Sequence, residues 1–393
     1  MKATLTFSLL IAGAFASAQT WTPESPLPAV PRDGSISFVI GDHVFVGGGL
    51  GGHKDLYEYD PASGDWTSRG LIPGVISERA FSCAFVINDI AYICAGSDGT
   101  TFLRDLWAYD PVTHSWTPRA DYPSTVRNAA FAFALNGKGY VCGGTNNSFI
   151  YSDFMEYDPG SNSWTPLGAL PMGPTIFGSS FVIGDHAYVM GGDHGTSESN
   201  DVYRYNAEEN VWDPMQDSPV VVRQAAVGFT LNGKGYFGLG QTQYQTALDD
   251  LYSYDSNTDT WTPEGSFPGG VRCWAVGAGT GENAYIGTGW NFGSTFYNDW
   301  WTLGSLTSTP ELHASANSLH AFPVPVTDQL HLRTDDRATG MLAIYDIRGC
   351  EVIGARPFFG SADPLLGSLM SGMYEAVLTL KDGTSRRVRF VRD

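Results

Sequence analysis

The chain has 393 residues, with 22 Lys and Arg against 41 Asp and Glu, a formal net charge of -19, and 13% aromatic residues. So acidic a balance disfavours a nucleic acid or an anionic membrane as partner, because both repel it. Forty-seven glycines and no long helical apolar period exclude a helical bundle and fit an all-β chain of many short strands with tight turns.

Residues 1–18 carry the marks of a secretory signal: Lys2 at the start, an apolar core from Leu5 to Phe15, and Ala16-Ser17-Ala18 before a mature start at Gln19. No later stretch reaches the roughly 18 apolar residues of a spanning helix, so no transmembrane segment is expected in the mature chain. Gln19-Thr20-Trp21-Thr22-Pro23 then reads as a lone strand. The clearest full unit runs from Arg127 to Trp164. In it, the apolar run Ala129 to Leu135 turns on Asn136-Gly137, whose residues tolerate the positive φ of a type I′ hairpin, and returns through Tyr140-Val141-Cys142 to Gly143-Gly144. A third strand carries Tyr157 and stops at Asp158-Pro159; a fourth carries Trp164 and stops at Pro166.

This four-stranded unit recurs. Its terminal Trp falls at Trp21, Trp66, Trp116, Trp164, Trp212 and Trp261, and the closing Gly of its second strand at Gly49, Gly96, Gly144, Gly192, Gly240 and Gly289, in steps of 47 to 49 for the glycines. Such a period with four strands per repeat marks a propeller blade, and a blade alone cannot bury its faces, so six are expected in a ring. The order Gly-Gly, Tyr, Trp resembles the kelch family across residues 19–305. Departures are local: Ala95, Leu239 and Thr288 replace the first Gly of the doublet, and Asn206 replaces the Asp after Tyr in the fourth blade. Residues 272–303 supply three strands without a fourth, so the Trp21 strand is predicted to close the sixth blade beside the Trp301 strand.

Two registered columns carry chemistry. Arg32, Arg79, Arg127, Thr175, Arg223 and Arg272 recur where the first strands begin, and in kelch propellers such strand starts surround one mouth of the central channel. Forked guanidinium groups there either bind an anionic ligand or staple the blades through carbonyls and Asp side chains. Asp55, Asp105, Asp153, Asp201, Asp250 and Asp299 open the third strands; they are too dispersed to share a metal ion and are expected to accept backbone N–H bonds. Loops on the same face hold Phe102, Phe149, Tyr151, His194, Tyr244, Trp290, Phe292 and Phe296, which either line a surface for a sugar or peptide or pack on each other.

No nucleophile elbow, His-Glu-x-x-His, Cys-x-x-Cys or phosphate loop occurs, so no catalytic residue, cofactor or metal is assigned. Some kelch-like proteins are enzymes, among them sialic acid mutarotases and copper radical oxidases. The oxidase's ligand spacing is not matched in this chain, and the mutarotase comparison rests on architecture and an Arg-lined channel. Among five Cys, counting outward from the Asn88-Asp89 turn sets Cys83 opposite Cys94, a pair that is either bridged or simply apolar filling.

The period ends in a Ser/Thr-rich linker, residues 304–320, and residues 321–393 alternate apolar and polar positions like a small Ig-like β-sandwich. Phe322-Pro323-Val324-Pro325 with Thr327-Asp328, Ile344-Tyr345-Asp346 with Gly349, Ser371-Gly372-Met373-Tyr374 and the Arg-rich end resemble the C-terminal sorting domain of the type IX secretion system of Bacteroidota, with Val324 in place of the usual Asn. The last strand, Arg386 to Val391, is expected to set a basic face against a buried one. The resemblance implies export through that machinery to the outer-membrane surface or the medium. The expectation for the whole is therefore an exported six-bladed propeller over residues 19–303, binding an anionic glycan or an acidic peptide or protein. The alternatives are a carbohydrate-active enzyme such as a sialic acid mutarotase, or a structural adhesin.

Overall fold

The computed structural model describes residues 19–305, 319–322, 330–334, 338–346, 350–364, 366, 369–381 and 385–392. Both the signal segment and residues 306–318, most of the expected linker, lie outside these residues. Two compact units divide near residue 306.

In the first unit every predicted blade is a four-stranded antiparallel sheet. The first blade pairs Ile36–Ile40, His43–Gly47, Asp55–Asp60 and Asp65–Leu71 in that order. Four more blades repeat it over residues 83–118, 131–169, 179–214 and 227–266. The sixth takes three strands from Val276–Gly279, Asn283–Gly287 and Trp300–Ser305 and its fourth from Gln19–Glu24, with Trp21 opposite Leu303 and Pro23 opposite Trp301. The predicted closure is thus the observed one, and it covers the Trp300–Ser305 edge that three strands alone would leave unpaired.

Burial follows strand position. First strands alternate buried and half-buried residues, second strands are buried along nearly their whole length, and fourth strands are largely exposed. That gradient is what a radial stack of blades demands, since the second strand is covered on both faces. Phe133 stacks on Tyr140 at 5.0 Å, and Tyr140 meets Tyr205 of the next blade edge-on at 5.5 Å. Gly139 is bare for a reason: a Cβ there would collide with the ring of Phe85 from the preceding blade. In the first five blades the terminal Trp packs on the Tyr of its own third strand, as Trp164 does on Tyr157 at 5.0 Å, and Trp164 Nε1 donates to the Ala120 carbonyl of the preceding blade at 2.9 Å.

Two closed rings of backbone bonds join the blades. In the outer ring the second residue of each Gly-Gly doublet donates to the carbonyl of the following blade's Arg or Thr, from Gly49 to Arg79 around to Gly289 to Arg32, at 2.8 to 2.9 Å. In the inner ring Gly34, Phe81, Ala129, Phe177, Ala225 and Trp274 each donate to the equivalent carbonyl of the preceding blade, at 2.9 to 3.3 Å. All six hold φ between 50° and 64°, a left-handed conformation that is unfavourable for five of them and is held by the ring bonds. Ala95, Leu239 and Thr288 likewise adopt the φ near 57° of the glycines they replace, so those doublet turns are conserved in shape.

The second unit has a three-stranded sheet, Leu319–Phe322, His331–Thr334 and Ser361–Ala362, and a four-stranded sheet ordered Glu351–Phe359, Thr339–Asp346, Gly372–Leu380 and Ser385–Arg392. Leu319 and Leu332 of one sheet meet Ile344, Phe358, Leu378 and Phe390 of the other in one core, the β-sandwich the alternation predicts. The final strand is less cleanly divided than expected. Arg386 and Arg392 share the face of Val388 and buried Phe390, while Arg387 and exposed Val391 point the other way, because strand parity, not residue type, assigns the faces. Tyr345 and Tyr374 lie in strands as read from the sequence; residues 323–329 and 347–349 lie outside the described ones.

Candidate functional site at the channel mouth

The arginine column and the aspartate column are one device. Arg79 meets Asp105 through two parallel bonds of 2.8 and 2.9 Å, Arg127 meets Asp153 at 2.5 and 3.0 Å, Arg223 meets Asp250 at 2.5 and 2.8 Å, and Arg272 meets Asp299 at 2.7 and 3.0 Å. Arg32 pairs with Asp55 in the same way. Each bridge ties the start of a first strand to the start of the third strand in the same blade. All five guanidinium groups are at most 1% exposed. Arg127 also donates to the Gly143 and Thr125 carbonyls and lies over the rings of Tyr122 and Tyr151 at 4.5 and 4.3 Å.

Of the two readings of the arginine column, stapling through carbonyls and Asp side chains is the one this geometry matches, with each staple inside a single blade, and the expectation for the aspartates is corrected. The arginine column is not a rim of free cations for an anionic ligand, because its forks are turned into the wall and neutralised by carboxylates. The aspartates accept guanidinium forks rather than backbone N–H groups, a stronger and charge-assisted partner. In the fourth blade Thr175 is buried, its hydroxyl bonded to the Gly173 carbonyl at 3.0 Å, and Asp201 faces no guanidinium among the described residues.

The expected aromatic loop residues separate into three groups. Trp290, Phe292 and Phe296 come together: Trp290 stacks on Trp274 at 6.0 Å and on Phe296 at 5.7 Å, with interplanar angles of 7° and 9°, and Phe292 sits against Trp290 at 4.4 Å. Tyr151 serves the Arg127 staple. Phe149 and Tyr244 are exposed, at 68% and 82%, while Phe102 and His194 are half-buried in their own loops.

What sequence reasoning missed is the column two residues after each Arg. From it Phe81, Phe177 and Trp274 point to the axis and meet edge-on, with centroid separations of 5.2, 5.7 and 5.7 Å. Gly34, Ala129 and Ala225 occupy the alternate blades. Three large and three small residues fill a space that six aromatics could not, and the channel is closed by an aromatic plug. The available signal was the register itself.

Above the plug lies a cavity of about 530 Å³, lined by Phe81, Phe177, Trp274, Trp290, Asp33 and His53 among others. Asp33 is only 3% exposed, and its Oδ1 accepts no bond. Burial, with the Glu78 charge adding to it, raises its carboxyl from 3.8 to about 6. Glu78 Oε2 in turn accepts from the Gly51 and Gly52 N–H groups at 2.9 Å each. His53 is held below its usual value by burial and by the Arg32 charge, so it is neutral at pH about 7.

A carboxyl raised on folding favours the native state below its unfolded value and loses that contribution as pH rises through the native one. Asp33→Asn is therefore expected to raise stability at pH about 8 by on the order of 1–2 kcal/mol, discounted for water in the open cavity, and to be neutral below pH about 4. Thermal melts across that range test it; equal melting temperatures at both ends would rule it out.

The fold and this mouth define a closed β-propeller of six blades with an aromatic, acid-bearing cavity at one end of a plugged axis. Residues 16–176 match the KLHDC2/KLHL20/DRC7 Kelch-repeats domain and residues 177–219 match the Kelch motif, so this is a kelch propeller. No curated protein sequence matches the chain. Among solved structures, one described as "Structure of YjhT" is similar over 72% of this chain and 99% of its own, with 18% identity and a TM-score of 0.62, a likeness of fold.

The pair Cys83 and Cys94 stand opposite each other as the turn count predicts, yet both are free, with the Cys83 thiol donating to the Cys94 carbonyl at 3.5 Å. The Cys83 side chain, and after it burial, push the Cys94 thiol well up, so it is apolar filling.

Proposed function

We propose that the chain is an exported binding module whose ligand seats in the channel-mouth cavity, its body laid on the Trp274–Trp290–Phe296 stack. The observation that carries this is the stack beside a buried carboxylate with one oxygen that accepts no bond, in a cavity large enough for a small ligand. An anionic glycan or acidic peptide was the ligand expected of free arginines; the one Arg that lines this cavity, Arg32, is already bonded to Asp55. The ligand class therefore shifts toward neutral or basic molecules. Trp290→Ala is expected to weaken binding at least about tenfold, since a lost aromatic contact is worth ~1.5 kcal/mol or more, with the melting temperature little changed. Titration of the mature chain with sugars and short peptides of each charge type checks it; unchanged affinity in the variant would move the site elsewhere.

A carbohydrate-active enzyme such as a sialic acid mutarotase is the second reading. It is favoured by Asp33, whose raised carboxyl is poised for proton transfer near neutral pH beside a neutral His53 in the same cavity. Measuring anomeric exchange of a bound sugar with and without protein separates the two. Export is proposed from residues 1–18 and from the likeness of residues 321–393 to a type IX sorting domain, which would make that machinery a partner. In a host that has it, removing residues 321–393 should retain the protein in the periplasm; secretion without the tail would refute the assignment.

A further inference from the structure

What the cavity can hold is narrowed by its charges, given the reading above that it is a binding site. The Arg32 guanidinium lining it is committed to Asp55 and to the Val30 and Gly48 carbonyls at 3.0 and 3.1 Å. His53 is neutral, and Glu78 adds a second negative charge next to Asp33. The uncompensated charged group is Asp33, a buried carboxylate with an oxygen that accepts nothing; the Trp274 indole N–H, also in the lining, has no partner but carries no charge.

A buried acceptor without a donor is costly, and the fold leaves this one to be completed from outside. An anion would be repelled there. A neutral hydroxyl would offer a hydrogen bond without charge. A protonated amine offers both, and the faces of indole and phenyl rings favour a cation near them. A quaternary ammonium would satisfy the rings but has no N–H for the carboxylate.

We propose that the cavity takes a ligand bearing a protonated primary amine on a flat or apolar body, the ammonium donating to Asp33 Oδ1 and the body resting on the Trp274–Trp290–Phe296 stack. Amino sugars and arylalkylamines share this chemistry. No covalent step is involved.

The test is calorimetric titration of the mature chain, at pH about 7, where both amines are mostly protonated and Asp33 mostly ionised, with two matched series: glucosamine, glucose and glucuronate, and benzylamine, benzyl alcohol and benzoate. In at least one series the amine is expected to bind at least about tenfold more tightly than the neutral partner, with the carboxylate weakest. Asp33→Asn should erase the preference for the amine over the neutral partner. Equal binding of amine and alcohol would overturn the amine inference while leaving the cavity as a binding site. Absence of binding in both series would overturn both.

Should Asp33→Asn fail to fold, the native chain serves at pH about 5 and about 8, where benzylamine stays protonated. Protonation of Asp33 is expected to weaken the amine severalfold at the lower pH and to leave benzyl alcohol unaffected. The ionisable groups coupled to Asp33 are Glu78 and Cys273, and Arg32 and His53 line the same cavity. His53→Gln, which removes the group able to gain charge over this interval, should retain the response. A pH-independent amine affinity would count against Asp33 as the partner.

Discussion

Replacing Asp153 by Ala is expected to destabilise the propeller by about 3–5 kcal/mol, because it strips the carboxylate from a guanidinium that is fully buried. Arg127→Met should cost less. It leaves behind a carboxylate that is 23% exposed and can be hydrated, and the apolar replacement fills much of the vacated space. The double variant should lie above Asp153→Ala in stability, since no buried cation is orphaned. Asp201→Ala is the internal control: the same register position in the blade that carries Thr175 should change stability by less than about 0.5 kcal/mol. Chemical denaturation of the four variants decides it. If Asp153→Ala and Asp201→Ala cost the same, the bridges are ornaments of the wall and not its staples.

The second large effect is expected at the seam. Removing residues 19–24 would leave Trp300–Ser305 as an unpaired edge and delete the edge-on contact of Trp21 with Phe267 at 4.8 Å. It would also remove Glu24, which accepts from Tyr59 of the first blade at 3.2 Å and from Thr302 of the sixth at 3.1 Å, and so spans the closure. A loss of at least about 5 kcal/mol is expected from the ladder and the aromatic contact together. Association through the exposed edge should follow, visible as concentration-dependent light scattering. A peptide of residues 18–25 added in trans should restore both stability and the monomer. A truncated chain that melts like the parent and stays monomeric would show that the ring closes without this strand.

The repeat was legible because its markers are tied to backbone geometry. Asn136 and Gly137 do hold φ of 51° and 74°, and the second Gly of each doublet sits at the inter-blade bond. The lone Trp21 strand was equally readable, since a signature missing its partners at one end matched partners missing their signature at the other. The site was less so. Both charged columns were visible, but their pairing depends on a turn of the chain that brings residues 23 to 27 apart in sequence side by side. Thr175 obscured the link, because its blade retains Asp201. The plug escaped notice for a different reason: Gly, Phe, Ala, Phe, Ala and Trp do not read as copies of one position. They are equivalent in backbone conformation and opposite in volume, and composition-based repeat reading responds only to the second property. Asp33 had no sequence signal at all, since its raised carboxyl and its missing donor are properties of the closed mouth.

The alternation at the axis also restricts how such a ring could be lengthened or shortened. Small Gly34, Ala129 and Ala225 interleave with large Phe81, Phe177 and Trp274, so the pattern closes on itself only when the number of blades is even. Insertion or loss of one blade would set two bulky neighbours in collision or leave two small ones around a void. Seen from the axis, the unit of construction is a pair of blades, and growth of this propeller by duplication would proceed in twos.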